Sequence, residues 1–218
     1  MENLLDSLKP IAKGGLPVES YLLIGPPGCG LSTFLKHLSK SWIEKKGNVV
    51  FLDTDKYPEE LKKFFSGRVY GSETLSIIDA YSWRFNTGWT ETPRLDSPTA
   101  LAMAIDKEID GKANVLFVFD SLTTMLPLVS VKMFESFVHS SIGRLRGKSA
   151  TSFFSLADGS VDPATESFLR SVFDGVFEIK LENSKEGLKR FLRAFSLKGT
   201  EHSTNWNEFR INDGIEFV

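Results

Sequence analysis

The amino-acid sequence predicts an α/β fold: a central, mostly parallel β-sheet flanked by helices and extended by an antiparallel C-terminal hairpin. Three observations predict it. Short apolar runs alternate with longer stretches of helical periodicity through most of the chain. A glycine-rich segment, GPPGCG (25–30), joins the first apolar run to the first helical stretch. Near the C-terminus the apolar runs follow one another with no room for helices between them, which requires antiparallel neighbours joined by short turns.

Taken in order, SYLLIG (20–25) is the first strand, and LSTFLKHLSKSWIEKK (31–46) is a helix that runs into Gly47, where a C-terminal cap belongs. NVVFLD (48–53) is the second strand, PEELKKFF (58–65) a short helix and LSIIDAY (75–81) the third strand. The stretch WRFNTGWTETPRLD (83–96) is polar and turn-rich, so it reads as a long loop whose two tryptophans pack back over the core. SPTALAMAIDKEIDG (97–111) is a helix with Ser97 as N-cap, Pro98 in its first turn and Gly111 at its end. NVLFVFD (114–120), VSVKMFESFVHSSIGRLRG (129–147) and ATSFFSLA (150–157) form strand, helix and strand. DPATESFLRSVFD (162–174) is a helix capped by Asp162 ahead of Pro163. GVFEIKLE (175–182), RFLRAFSL (190–197) and EFRIN (208–212) close the fold, with KEG (185–187) and NDG (212–214) as turns.

At 218 residues, with 41% hydrophobic and 25% charged residues, the chain is expected to form one domain over residues 1–218. The 18 phenylalanines predict a well-filled interior. A formal charge of −2 gives no overall basic footprint, which speaks against nucleic acid as a partner. The basic cluster RLRGK (144–148) reads as a solvated helix end complementing the helix dipole, with DNA contact as the alternative. No apolar run approaches the about 20 residues that span a bilayer, so no membrane association is expected. The single cysteine, Cys29, cannot pair internally, and the N-terminus lacks a signal-peptide pattern, so a cytoplasmic location is expected. His37, His139 and His202 do not share a metal-ligand spacing.

GPPGCGLST (25–33) fits the phosphate-binding pattern G-x-x-x-x-G-K-[ST] except at one position, where Leu31 replaces lysine. Backbone N–H groups of Gly25, Pro26, Pro27, Gly28, Cys29, Gly30, Leu31, Ser32 and Thr33, so far as they carry one, are placed to surround an anion at a helix N-terminus. Ser32 stands where a hydroxyl binds Mg²⁺, and Asp120, at the end of the strand NVLFVFD, stands where the second metal-binding carboxylate belongs. Leucine supplies no donor to the terminal phosphates, a loss of about 1.5–3 kcal/mol for one charge-assisted contact. Lys36 lies five residues on, about 140° around the helix from Leu31, and is expected to point away. Cys29 sits at the positive end of a helix, an environment that lowers a thiol pKa, but it reads as a structural cysteine rather than a reactive one.

With these elements placed, the chain resembles the KaiC-like branch of the RecA superfamily of ATPases. The resemblance rests on LLDSL (4–8), GGLPVESYLLIGPPGCG (14–30), NVVFLDTDKYPEEL (48–61), FVFDSLTTM (117–125), FDGVFEIKLE (173–182) and the tail SLKGTEHSTNWNEFRINDGIEFV (196–218). It implies a RecA-like core, ATP bound between subunits and a ring-forming homo-oligomer. Active relatives carry two glutamates after the second strand, one activating water; this chain has Asp55 and Lys56 there. They also send a lysine and an arginine from the tail to a neighbour's γ-phosphate; the matching positions are Ser196 and Lys198. Three readings stay open. The first is a nucleotide-binding or scaffold module in regulation or signalling, holding ATP or ADP with Mg²⁺ and associating with itself or a partner ATPase, with hydrolysis impaired or absent. There Lys56 would replace part of the missing charge, against its being a solvated lysine. The second is a working ATPase with a displaced cation and Asp55 as base. The third is an interaction protein that no longer binds nucleotide.

Overall fold

A computed structural model of the chain describes residues 8, 11–12, 15–65, 74–86, 92–185, 187–212 and 214–218. Its strands are β1 (Ser20–Gly25), β2 (Asn48–Asp53), β3 (Leu75–Asp79), β4 (Val115–Asp120), β5 (Thr151–Ala157), β6 (Gly175–Ser184), β7 (Gly187–Leu197), β8 (Asn207–Ile211) and β9 (Ile215–Phe217). Its helices are α1 (Leu31–Glu44), α2 (Pro58–Phe65), α3 (Tyr81–Phe85), α4 (Pro98–Ile109), α5 (Val131–Gly147) and α6 (Pro163–Val172). Among the described residues the nine strands join one sheet in the order β3-β2-β4-β5-β1-β6-β7-β8-β9. Pairing is parallel from β3 to β6 and antiparallel from β6 to β9. The mostly parallel sheet with an antiparallel C-terminal extension is the RecA-like arrangement expected.

The two faces of the sheet follow the period-2 geometry of strands. Leu22, Ile24, Val50, Leu52, Phe117 and Phe119 point into a core closed by α4, α5 and α6. Tyr21, Leu23, Val49, Phe51, Leu116 and Val118 point into the opposite core, closed by α1 and α2. That second core runs on under the antiparallel extension through Leu192, Ala194, Phe209 and Ile215. The phosphate-loop helix is therefore seated over the junction between the parallel strands and the C-terminal hairpins.

Several boundary expectations hold. Ser97 Oγ accepts the Ala100 N–H at 3.3 Å, and Asp162 Oδ1 accepts those of Ala164 and Thr165 at 3.0 and 3.1 Å. Gly111 takes the left-handed conformation, φ 73°. Others are corrected. The third strand stops at Asp79 because Tyr81 opens α3, a helix inside the stretch read as strand end and loop. Trp83 does pack against the core, while Trp89 lies outside the described residues. Lys46, not Gly47, carries the left-handed φ of 61° after α1. Gly47 is one position further on, donating its N–H to the Trp42 carbonyl at 3.0 Å. It must be glycine because a Cβ there would lie 2.2 Å from the Trp42 ring. β9 was not foreseen, being three residues long behind the turn at 212–214. Residues 186 and 213 of the two expected turns lie outside the described residues.

Candidate functional site

The loop between β1 and α1 is shaped by its glycines. Gly28 and Gly30 have φ values of 80° and 100°, a region that L side chains enter only with strain. The Cys29 N–H donates to the Pro26 carbonyl at 3.1 Å, tightening the turn, and the Gly30 carbonyl accepts the Phe34 N–H at 2.8 Å as the helix begins. A Cβ on Gly30 would lie 2.5 Å from Ile211 Cδ1, and one on Gly25 would lie 2.7 Å from Cys29 Sγ. The C-terminal hairpins thus press on the loop from the side. Arg190 of β7 adds a hydrogen bond from Nε to the Cys29 carbonyl at 3.1 Å. Cys29 itself is buried beneath the loop, and burial pushes its thiol up to about 11, outweighing the helix-terminus effect that predicted a lowered value. Pro27 is exposed at the loop tip, and Pro26 and, in the first turn of α1, Thr33 are half-buried.

Leu31, in the lysine position, is half-buried against the core layer beneath α1. The expectation that Lys36 points away is overturned. Its side chain is held among Lys56, Asp120 and Asp53, with its ammonium 5.3 Å from the Phe64 ring centroid. The reason is periodicity: Lys36 is four residues from Ser32, so it shares that residue's face of the helix. Burial, and next the charge of Lys56, hold the Lys36 amine below the ordinary lysine range.

Two carboxylates meet at the strand ends opposite. Asp53 and Asp120 are in direct register on β2 and β4, and both are buried. Burial raises the Asp120 carboxyl above the usual range, opposed by hydrogen bonds from Ser155 Oγ (2.7 Å to Oδ1) and from Ser32. Asp53 is pushed up to about 7 by burial and by the charge of Asp120, even though its Oδ1 accepts the N–H groups of Asp55 and Lys56 at 2.9 and 3.0 Å. Asp53 was not singled out from the sequence. The signal was present, because FLD at the end of β2 repeats the FVFD ending of β4.

Asp55 lies at the exposed mouth of this cluster and is heavily engaged. Thr124 Oγ1 donates to Oδ1, Ser121 Oγ donates to Oδ2 at 3.3 Å, and the Arg84 guanidinium stands 3.6 Å from Oδ1. Arg84 comes from the unforeseen helix α3, so its part here was hidden. In the tail, Ser196 sits opposite Val176 in the β6–β7 ladder, and Lys198 Nζ donates to the Ser171 carbonyl of its own chain at 2.7 Å. The basic cluster at 144–148 is neutralised within the fold: Arg144 pairs with Asp106, Arg146 with Asp174 and Lys148 with Asp110.

The structure therefore gathers Gly25–Thr33, Ser32, Asp120, Asp55 and Lys56 around one end of the parallel sheet, and adds Asp53, Arg84 and Lys36. A hydroxyl bonded to a carboxylate, with a second carboxylate alongside, is the hard-oxygen donor chemistry that suits Mg²⁺. Among the described residues no helix is long and apolar enough to cross a membrane.

A family model described as "ATPase: KaiC" matches residues 3–218. The chain is also similar to a UPF0273 protein of Thermotoga maritima, 24% identical over 226 residues, covering 96% of this chain and 91% of that protein.

Proposed function

The chain belongs to the KaiC family of ATPases, and on that premise we propose that it holds a nucleotide without hydrolysing it at a useful rate. The observation that carries this reading is Leu31, an apolar side chain absorbed against the core, within a loop whose Gly28 and Gly30 hold left-handed φ values. The N–H groups along residues 28–33 and the positive end of α1 remain to bind phosphate oxygens. Ser32 and Asp120 would hold Mg²⁺, whose charge offsets that of the phosphates. Hydrolysis needs more: donors on the equatorial oxygens of the transferring group and a free base to order water. Leucine offers no donor, and Asp55 has both oxygens committed to Thr124, Ser121 and Arg84.

A site that retains nucleotide and does not cut it suits a regulatory or scaffold role. It would act by self-association or by joining a partner ATPase in signalling. Calorimetry of the full chain with ATP and ADP plus Mg²⁺, alongside a phosphate-release assay, tests this. Saturable binding with release near background is the expected result. Brisk release abolished by Asp55→Ala would refute it in favour of a working ATPase. Absence of binding would leave an interaction module.

A further inference from the structure

We propose that Lys36 and Lys56 form a two-lysine clamp for the terminal phosphates of a polyphosphate, replacing from outside the loop the charge absent at position 31. The inference rests on the nucleotide-holding reading and names the residues that make it work. Helical side chains lean toward the N-terminus of their helix. The Lys36 stem, on the face of Ser32, therefore rises toward the loop and the Ser32–Asp120 pair. Lys56 arrives from the opposite side, its own N–H fixed to Asp53 Oδ1 at 3.0 Å. The two side chains are close enough for the Lys56 charge to act on the Lys36 ammonium, which has the Phe64 ring beside it, 5.3 Å from the ring centroid.

Neither ammonium has a carboxylate in salt-bridge contact among the described residues, although Asp53 and Asp120 lie near enough to Lys36 to act on it through space. Two half-buried like charges held beside each other repel one another, and a multiply charged anion between them removes that repulsion. The half-buried setting strengthens the attraction to phosphate beyond its value in water. A single carboxylate ligand would satisfy one lysine; adjacent phosphoryl groups satisfy both. The ligand class is therefore a nucleoside di- or triphosphate, with the recognition centred on the phosphate chain.

The test is calorimetry on the full chain and on Lys36→Met, Lys56→Met, the double variant and Lys36→Arg, with urea unfolding to verify the fold. The probes are ATP, AMP and inorganic tripolyphosphate with Mg²⁺. Each methionine variant is expected to lose about ten- to a hundredfold in affinity for ATP and tripolyphosphate, the size of one charge-assisted contact. AMP binding should barely move, and Lys36→Arg should restore most of the loss. Wild-type binding of ATP with unchanged affinity in the variants would overturn the clamp while leaving the nucleotide-holding reading intact. An equal loss for AMP and ATP would also overturn it. Should wild type bind neither ATP nor tripolyphosphate, both readings fall. Where Lys36→Met fails to fold, Lys56→Met and Lys36→Gln carry the same comparison.

Discussion

Replacing Asp53 by asparagine should stabilise the protein more the higher the pH. In the folded chain Asp53 titrates near 7, against an ordinary carboxylate value of 3.8, because burial and the neighbouring Asp120 oppose its ionisation. The unfolded chain ionises freely, so stability present below about pH 4 drains away as the pH rises toward 7 and beyond. Between about pH 5 and about pH 8 that drain amounts to about 2–3 kcal/mol, taking 1.36 kcal/mol per pKa unit. Asparagine keeps an oxygen to accept the N–H groups of Asp55 and Lys56, so it removes the charge and little else. Urea unfolding at the two pH values, followed by far-ultraviolet circular dichroism without nucleotide or Mg²⁺, reads the difference. The unfolding free energy of Asp53→Asn relative to wild type should rise by about 2 kcal/mol across that interval. Parallel pH dependences for the two proteins would refute the claim that the strand-end carboxylates resist ionisation together.

Other outcomes follow from the same geometry. Cys29, buried and pushed up to about 11, should react with iodoacetamide at pH 8 about a hundredfold more slowly in the folded than in the unfolded chain; equal rates would mean the thiol is not sheltered beneath the loop. Gly30→Ala should cost about 2 kcal/mol or more in urea unfolding, from its φ of 100° and the 2.5 Å approach to Ile211. The double variant with Ile211→Ala should recover only the clash. Leu31→Lys should raise ATP affinity about tenfold or more by calorimetry, since it returns a charge-assisted donor to the loop.

Much of this was legible in the chain because strands buried on both faces announce themselves as apolar runs, and because capping serines, aspartates and glycines act locally. Ser97, Asp162 and Gly111 behave as their residue types dictate. The phosphate loop was readable for the same reason, with each glycine answering a local backbone demand. What was misread depends on neighbours far along the chain. The Cys29 thiol is structural, as its residue context suggests, but the sequence shows only the helix dipole and not the burial under the loop that decides its acidity. Lys36 was measured from Leu31, whereas its surroundings follow from Ser32. Arg84 reaches Asp55 from a short helix whose sequence, YSWRF, has no periodicity long enough to declare itself. Asp53 shows its significance only once β2 lies beside β4.

The contact of Ile211 and Arg190 with Gly30 and Cys29 ties the final strands to the rim of the phosphate cradle. Because energetic coupling between two sites is reciprocal, an anion that steadies the rim must also steady the tail, by the same free energy. If the proposed nucleotide binding holds, the last strands would feel whether the cradle is full, and release of the anion would be reported at the edge of the sheet.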